Sequence, residues 1–242
     1  MKASERGADP GRNRWLLIGN SRWHWAMATP DGLQCWSGPP QTGEPQPGEP
    51  LPGEGPVAWA AVGPLPARSG LDPARRLTLA HIPLASAPPW LGVDRALVAW
   101  EAWQDCRLPV LVADAGTALS LTRVDGAGRF AGGRILAGAA LQWRALASET
   151  AQLPRLHAQA GDAGSAGTDW PSDTVTAMRV GVLAGLAAAV QAAWQDACRE
   201  FPSCQLRITG GDGAVLAARL GLSPDPDLAL RALVRLRPGP GP

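Results

Sequence analysis

Two tight turns of the same design limit what this chain can fold into. The first follows the apolar run Leu16-Leu17-Ile18 and consists of Gly19-Asn20-Ser21-Arg22. The second follows Leu111-Val112-Ala113 and consists of Asp114-Ala115-Gly116-Thr117, after which Ala118-Leu119-Ser120 resumes strand-like residues. In each, a buried strand bends through a glycine and a hydroxyl into a second strand. The glycine lets a ligand come close to the backbone, and the polar residues place amide, hydroxyl and, in the second turn, carboxylate groups at the bend. That combination suits phosphate and metal handling. One such turn in each half implies a duplicated α/β fold whose halves face one nucleotide.

At 242 residues the chain is long enough for one large domain or two modest ones with a substantial core. A net charge of +1 offers no electrostatic case for binding nucleic acid or an anionic membrane. No apolar run reaches the roughly 18 residues of a membrane span. The first residues are polar, with no signal-type apolar region. Cys35, Cys106, Cys198 and Cys204 form no C-x-x-C pair, and His24, His81 and His157 lack metal spacing. The expectation is a cytoplasmic protein with reduced thiols, without nucleic acid or membrane partners. Its 11 Trp, beside 2 Phe and no Tyr, are read as core and rim packing.

Along the chain, residues 1–13 read as a frayed arm, 14–106 as a first domain, 107–237 as a second and 238–242 as a disordered tail. The first domain carries strands before and after Gly19, a Pro- and Gly-rich loop at 37–56, and further strands at 57–63 and 76–82. A helical period over 90–106 closes it. The second carries strands from 108, from 129 and over 205–208, with helices over 139–147, 174–200 and 214–220. The helix at 174–200 reads as one long element or a pair. A small, glycine-rich loop fills 158–173.

Several positions could carry chemistry, each with a plainer alternative. The Gly19 turn can offer amides and a hydroxyl to phosphate, or be an ordinary hairpin turn. Asp94-Arg95 at a helix start pairs a base with a bidentate donor, or is a capping aspartate beside a solvated arginine. Asp114 can hold a cation, or close an Asx-turn. The glycines at 132–138 and in Thr209-Gly210-Gly211-Asp212-Gly213 tolerate close ligand approach or serve tight turns. G-x-S-x-G, G-x-x-x-x-G-K-[ST] and G-x-G-x-x-G are all missing from the sequence, so triad-hydrolase, P-loop and Rossmann readings lose their support.

Taken in order, Ile18-Gly19-Asn20-Ser21, Gly92-Val93-Asp94-Arg95, Asp114-Ala115-Gly116-Thr117-Ala118, Gly132 to Gly138, the pair Thr174 and Gly181, and Thr209 to Asp212 resemble the type III pantothenate kinase family. The resemblance implies the fold of the acetate and sugar kinase, heat-shock protein and actin superfamily. That fold has two ribonuclease-H-like (actin-like ATPase) halves with the nucleotide in the cleft between them. It implies ATP-dependent phosphorylation of pantothenate to 4′-phosphopantothenate, the first step of coenzyme A biosynthesis. Asp94 is then the general base, and Gly92, Val93, Arg95 and Thr174 line the pantothenate site. Leu17, Ile18, Gly19, Asn20, Ser21, Arg22, Trp23 and His24, with Thr117, surround the ATP phosphates. Gly210 and Gly211 lie near the adenosine, and Asp114 holds a monovalent cation, K⁺ or NH₄⁺, with Mg²⁺ arriving on ATP. The family is homodimeric, and the alanine-rich helix at 174–195 is a reasonable dimer surface. One departure is plain: the family's first motif opens on an acidic residue, and Leu17 stands in its place. It motivates an alternative, a catalytically weak or dead nucleotide- or metabolite-binding regulatory protein of the same fold.

Overall fold

The computed structural model describes residues 13–39, 55–65, 69–156 and 170–239. The N-terminal arm, the middle of the Pro-rich loop, the loop containing His157 and the last residues of the tail lie outside the described residues. Strands β1 (Arg14–Ile18), β2 (Trp23–Thr29), β3 (Gly32–Gly38) and β4 (Ala58–Ala61) form one sheet in the order β3-β2-β1-β4. Strands β5 (Val110–Ala115), β6 (Ala118–Val124), β7 (Phe130–Ala137) and β8 (Gln205–Thr209) form another in the order β7-β6-β5-β8. The topology repeats: three antiparallel strands in a meander, with a fourth lying parallel beside the first. The expected α/β class and duplication are both present.

The central strands follow from composition. Trp15 to Ile18 in β1 and Val110 to Ala113 in β5 are buried without alternation, as strands covered on both faces are. Helices are α1 (Val93–Cys106), α2 (Ala139–Glu149), α3 (Thr174–Glu200), α4 (Gly213–Arg219) and α5 (Leu228–Leu236). By its contacts the chain separates into two compact units, one comprising Met1–Pro83, Pro89–Leu97 and Ala229–Pro242, the other Leu84–Pro88 and Val98–Leu228. The division thus falls within α1, and nearly all of α5 returns to the unit of the first sheet. In that unit the Trp15 indole donates to the Arg237 carbonyl at 2.8 Å, which fastens the C-terminal segment to β1.

In the second unit Leu111, Leu119, Leu121, Trp143, Leu183, Leu186, Val190, Ile208 and Leu216 share one core with their neighbours. Helix α3 is a single uninterrupted element, long and apolar enough on composition to cross a membrane. Its apolar residues do not form one unbroken run, because Thr174, Thr176, Arg179 and Gln191 interrupt them. Met178, Val182, Leu183, Leu186, Val190 and Ala193 turn one face of α3 inward, as core helices do.

Three local readings are corrected. Residues 76–82 form no strand beyond a single bridge between Arg76 and Trp59. Instead His81 Nδ1 accepts from the Thr78 amide at 3.0 Å and closes a 3-10 turn at Leu79–His81; local side-chain capping outcompetes the strand. Strand β3 and helix α5 were missed. Every residue of β3 is exposed or half-buried, so it has no buried face to set an alternating pattern, whereas α5 is short and lies close to the Pro-rich tail.

Candidate active site

In the first unit, β1 and β2 are joined by the turn Gly19–Arg22. The Gly19 amide donates to the Arg22 carbonyl at 2.9 Å, and a Cβ at Gly19 would lie 2.9 Å from that same oxygen. The segment after β4 backs the turn: the Val62 and Gly63 amides donate to the Ile18 carbonyl at 2.9 and 3.3 Å. A side chain at Gly63 would place its Cβ 2.1 Å from the Gly19 carbonyl, so only glycine permits this approach. Leu17, Ile18 and Trp23 are buried beneath the turn, whereas Asn20, Ser21 and Arg22 are exposed on it. His24 is half-buried, and its Nδ1 shares a 2.7 Å hydrogen bond with Ser37 Oγ on β3. Burial, with the nearby Arg22 guanidinium, holds the His24 imidazole below its ordinary pKa, hence neutral near pH 7.

In the same unit, Gly92-Val93-Asp94-Arg95 opens α1. Asp94 Oδ1 accepts the adjacent Arg95 amide at 2.8 Å within the first helical turn, where backbone amides have no partner inside the helix. A Cβ on Gly92 would stand 2.6 Å from that Oδ1, so the missing side chain is what leaves room for the carboxylate. Burial pushes the Asp94 carboxyl above the ordinary aspartate range, against the opposing pull of the Arg95 amide and guanidinium. Arg95 is only 8% exposed. Asp94 therefore stands inside the first turn rather than at the cap, and Arg95 is not the solvated arginine of the capping alternative. Burial lowers the Arg95 pKa, and the Asp94 charge opposes that.

The second unit gathers a glycine-lined cluster around Asp114. Asp114 lies near the end of β5, in parallel register with Thr209 of β8. Gly210, at φ 89°, has its backbone so close that a Cβ would sit 2.5 Å from both Asp114 Oδ1 and the Ala115 carbonyl. The Asp212 amide donates to the Ala115 carbonyl at 2.9 Å. On the other side, the Gly138 amide donates to the Thr117 carbonyl at 3.1 Å. A side chain at Gly138 would reach within 2.1 Å of the Gly116 carbonyl. Asp114 and Gly210 thus come together, with Gly211 exposed next in the chain, while Thr117 lies against Gly138 at the other end of the turn. Among the described residues no three His, Cys, Asp or Glu side chains converge on a metal site.

Thr174 is the first residue of α3 and is exposed. Just before it, the Asp173 carboxylate caps the helix by accepting the Thr176 amide at 2.9 Å. The sequence reading had not assigned Ser37, Gly63, Gly138 or Asp212 to the site. Ser37 was hidden at the edge of the Pro-rich stretch, and Gly63 carries no local signal. Gly138 and Asp212 stood inside glycine motifs that had been noted without a structural partner.

Repeated sheets, each with a glycine-and-hydroxyl turn at the end of its first strand, define a two-sheet α/β protein built from two halves of one topology. A solved protein from Campylobacter jejuni assigned to the Baf family of transcriptional activators has this fold, with a TM-score of 0.56 at 19% identity over 92% of this chain and 96% of that one. Residues 78–196 match the family described as type III pantothenate kinase. Curated type III pantothenate kinases from Synechococcus elongatus and a Nostoc species are 38% and 34% identical, over 91% and 96% of this chain and 94% and 93% of their own lengths. This chain belongs to the type III pantothenate kinase family.

Proposed function

We propose that this chain transfers the γ-phosphoryl group of ATP to the primary hydroxyl of pantothenate, giving 4′-phosphopantothenate and ADP at the entry to coenzyme A biosynthesis. The observation that carries the reading is Asp94 beside the buried Arg95, at a helix start left open by Gly92. A carboxylate whose pKa is raised by burial is a stronger base than a solvated one. Asp94 takes the hydroxyl proton as the oxygen attacks the γ-phosphorus; the new P–O bond forms, the β,γ-bridging bond breaks, and ADP leaves. Arg95 faces the pantothenate carboxylate with a bidentate donor, and Gly92, Val93 and Thr174 complete the substrate contacts. The Leu17–His24 turn and Thr117 hold the phosphates, while Gly210 and Gly211 leave room for adenosine against bare backbone.

Asp114 is assigned K⁺ or NH₄⁺, which would offset phosphate charge; Mg²⁺ comes with ATP. The working form is assigned as a homodimer, soluble and cytoplasmic. Supporting the dimer, Ala177, Gly181, Ala184, Gly185, Ala188 and Ala192 are exposed along one stripe of α3, the small residues that allow two helices to approach closely.

A coupled ADP-release assay tests this. The expected result is pantothenate-dependent turnover in K⁺ or NH₄⁺ that collapses in Na⁺ alone. ATP binding without turnover in any salt would make the chain a nucleotide-binding regulatory protein instead. Turnover indifferent to the cation would overturn the Asp114 assignment alone.

A further inference from the structure

The register of the first sheet puts a specific polar pair where the first turn lacks an acid. Leu17 is paired across β1 and β2 with His24, and His24 is paired across β2 and β3 with Ser37, so the three lie in one row on one face of the sheet. Leu17 is buried and offers only hydrocarbon. The imidazole next to it is oriented at one end by the 2.7 Å contact of Nδ1 with Ser37 Oγ. Its other end lies at the turn: Nε2 is 3.5 Å from where a Cβ at Gly19 would stand, with Cδ2 at 3.8 Å. With no side chain on Gly19, that Nε2 is open toward the backbone of the turn.

We infer that His24 is a catalytic residue of the phosphoryl transfer, donating its Nε2–H to a phosphate oxygen of ATP held at the Gly19–Arg22 turn, and that Ser37 is a positioning residue that sets its tautomer. The inference rests on the kinase reading above. Ser37 Oγ–H donates to Nδ1, which leaves the proton on Nε2, the nitrogen that faces the turn. The neutral imidazole favoured by burial is the form that this arrangement needs. A phosphate oxygen accepts from it as it accepts from backbone amides, and a hydrogen bond to a charged group is among the strong ones. His24 thereby supplies a polar contact on the face where Leu17 supplies none.

The test compares wild type with His24→Ala, His24→Gln and Ser37→Ala. Steady-state rates are measured with ATP and pantothenate varied in turn, nucleotide binding by calorimetry, and melting temperature in parallel. Losing one hydrogen bond to a charged group is expected to lower kcat/KM for ATP by about tenfold or more in His24→Ala, with KM for pantothenate unmoved. His24→Gln, whose amide N–H reaches the same place, is expected to recover most of that loss, and Ser37→Ala to fall between. An unchanged kcat/KM for ATP in His24→Ala overturns the inference. So does equal impairment of the Ala and Gln variants, which would mark a structural role. If wild type itself fails to turn over pantothenate, the kinase reading falls. The His24 contact is then judged by calorimetry alone, where equal ATP affinity in wild type and His24→Ala refutes it.

Discussion

At Asp94, burial and hydrogen bonding pull the same carboxyl in opposite directions, and burial wins, so the group binds its proton more tightly in the folded chain than in the unfolded one. The sign of the linkage follows. Its contribution to stability is fullest in acid, below the unfolded pKa, and is lost as pH rises through the raised folded pKa. Asp94→Asn is therefore expected to cut turnover by about 10²–10⁴-fold while leaving ATP binding intact. Its melting temperature at neutral pH should be equal to or above wild type, as scanning calorimetry would show. The wild-type kcat/KM should climb with pH through a carboxyl pKa above the ordinary aspartate value. Gly92→Ala drives a methyl into Asp94 Oδ1 and should lower kcat by about 10²-fold with little change in melting temperature. Cys204, buried and pushed up to about 11, is expected to resist iodoacetamide in the native protein and to react only after denaturation, a difference that peptide mass spectrometry reads directly.

Among the elements, the turns hold their shape because glycines just past the ends of distant strands press against them. Gly138 and Gly210 flank the Asp114–Thr117 turn from opposite sides in the sequence, each with backbone where any Cβ would overlap a carbonyl. Gly210→Ala adds the strain of φ 89° to that overlap. Each alanine substitution is expected to cost about 1–3 kcal/mol in urea denaturation, and to weaken ATP binding together with stability, since the same backbone does both. Here the limits of local pattern are visible. β5 could be read from its apolar run, β8 from its polar–apolar alternation, and α1 and α3 from periodicity. β3 could not, because an edge strand exposed on both faces has no alternation to read. Residues 76–82 misled because their apolar content served a capped 3-10 turn.

At the scale of the whole molecule, the second copy of the chain is the open quantity. If the exposed small-residue stripe of α3 is the dimer surface, Ala188→Arg should give monomers by size-exclusion light scattering, because a guanidinium cannot be seated between closely packed helices. The variant's secondary structure should be unchanged, since Ala188 faces away from the core of its own unit.

What the sequence determined by itself was local. Apolar runs that end on glycine and a hydroxyl read as strands turning at a tight bend, and two of them implied the duplicated α/β fold. The order of the short motifs named the family. What only the tertiary structure decided depends on register and on contacts between distant segments. Arg95 is buried rather than solvated, Gly63 lies on the carbonyl of Gly19, and Gly138 and Gly210 close on the Asp114 turn. His24 stands between Leu17 and Ser37 because two strand pairings align them, and a linear sequence carries no signal for which residue will be its cross-strand neighbour until the register is set.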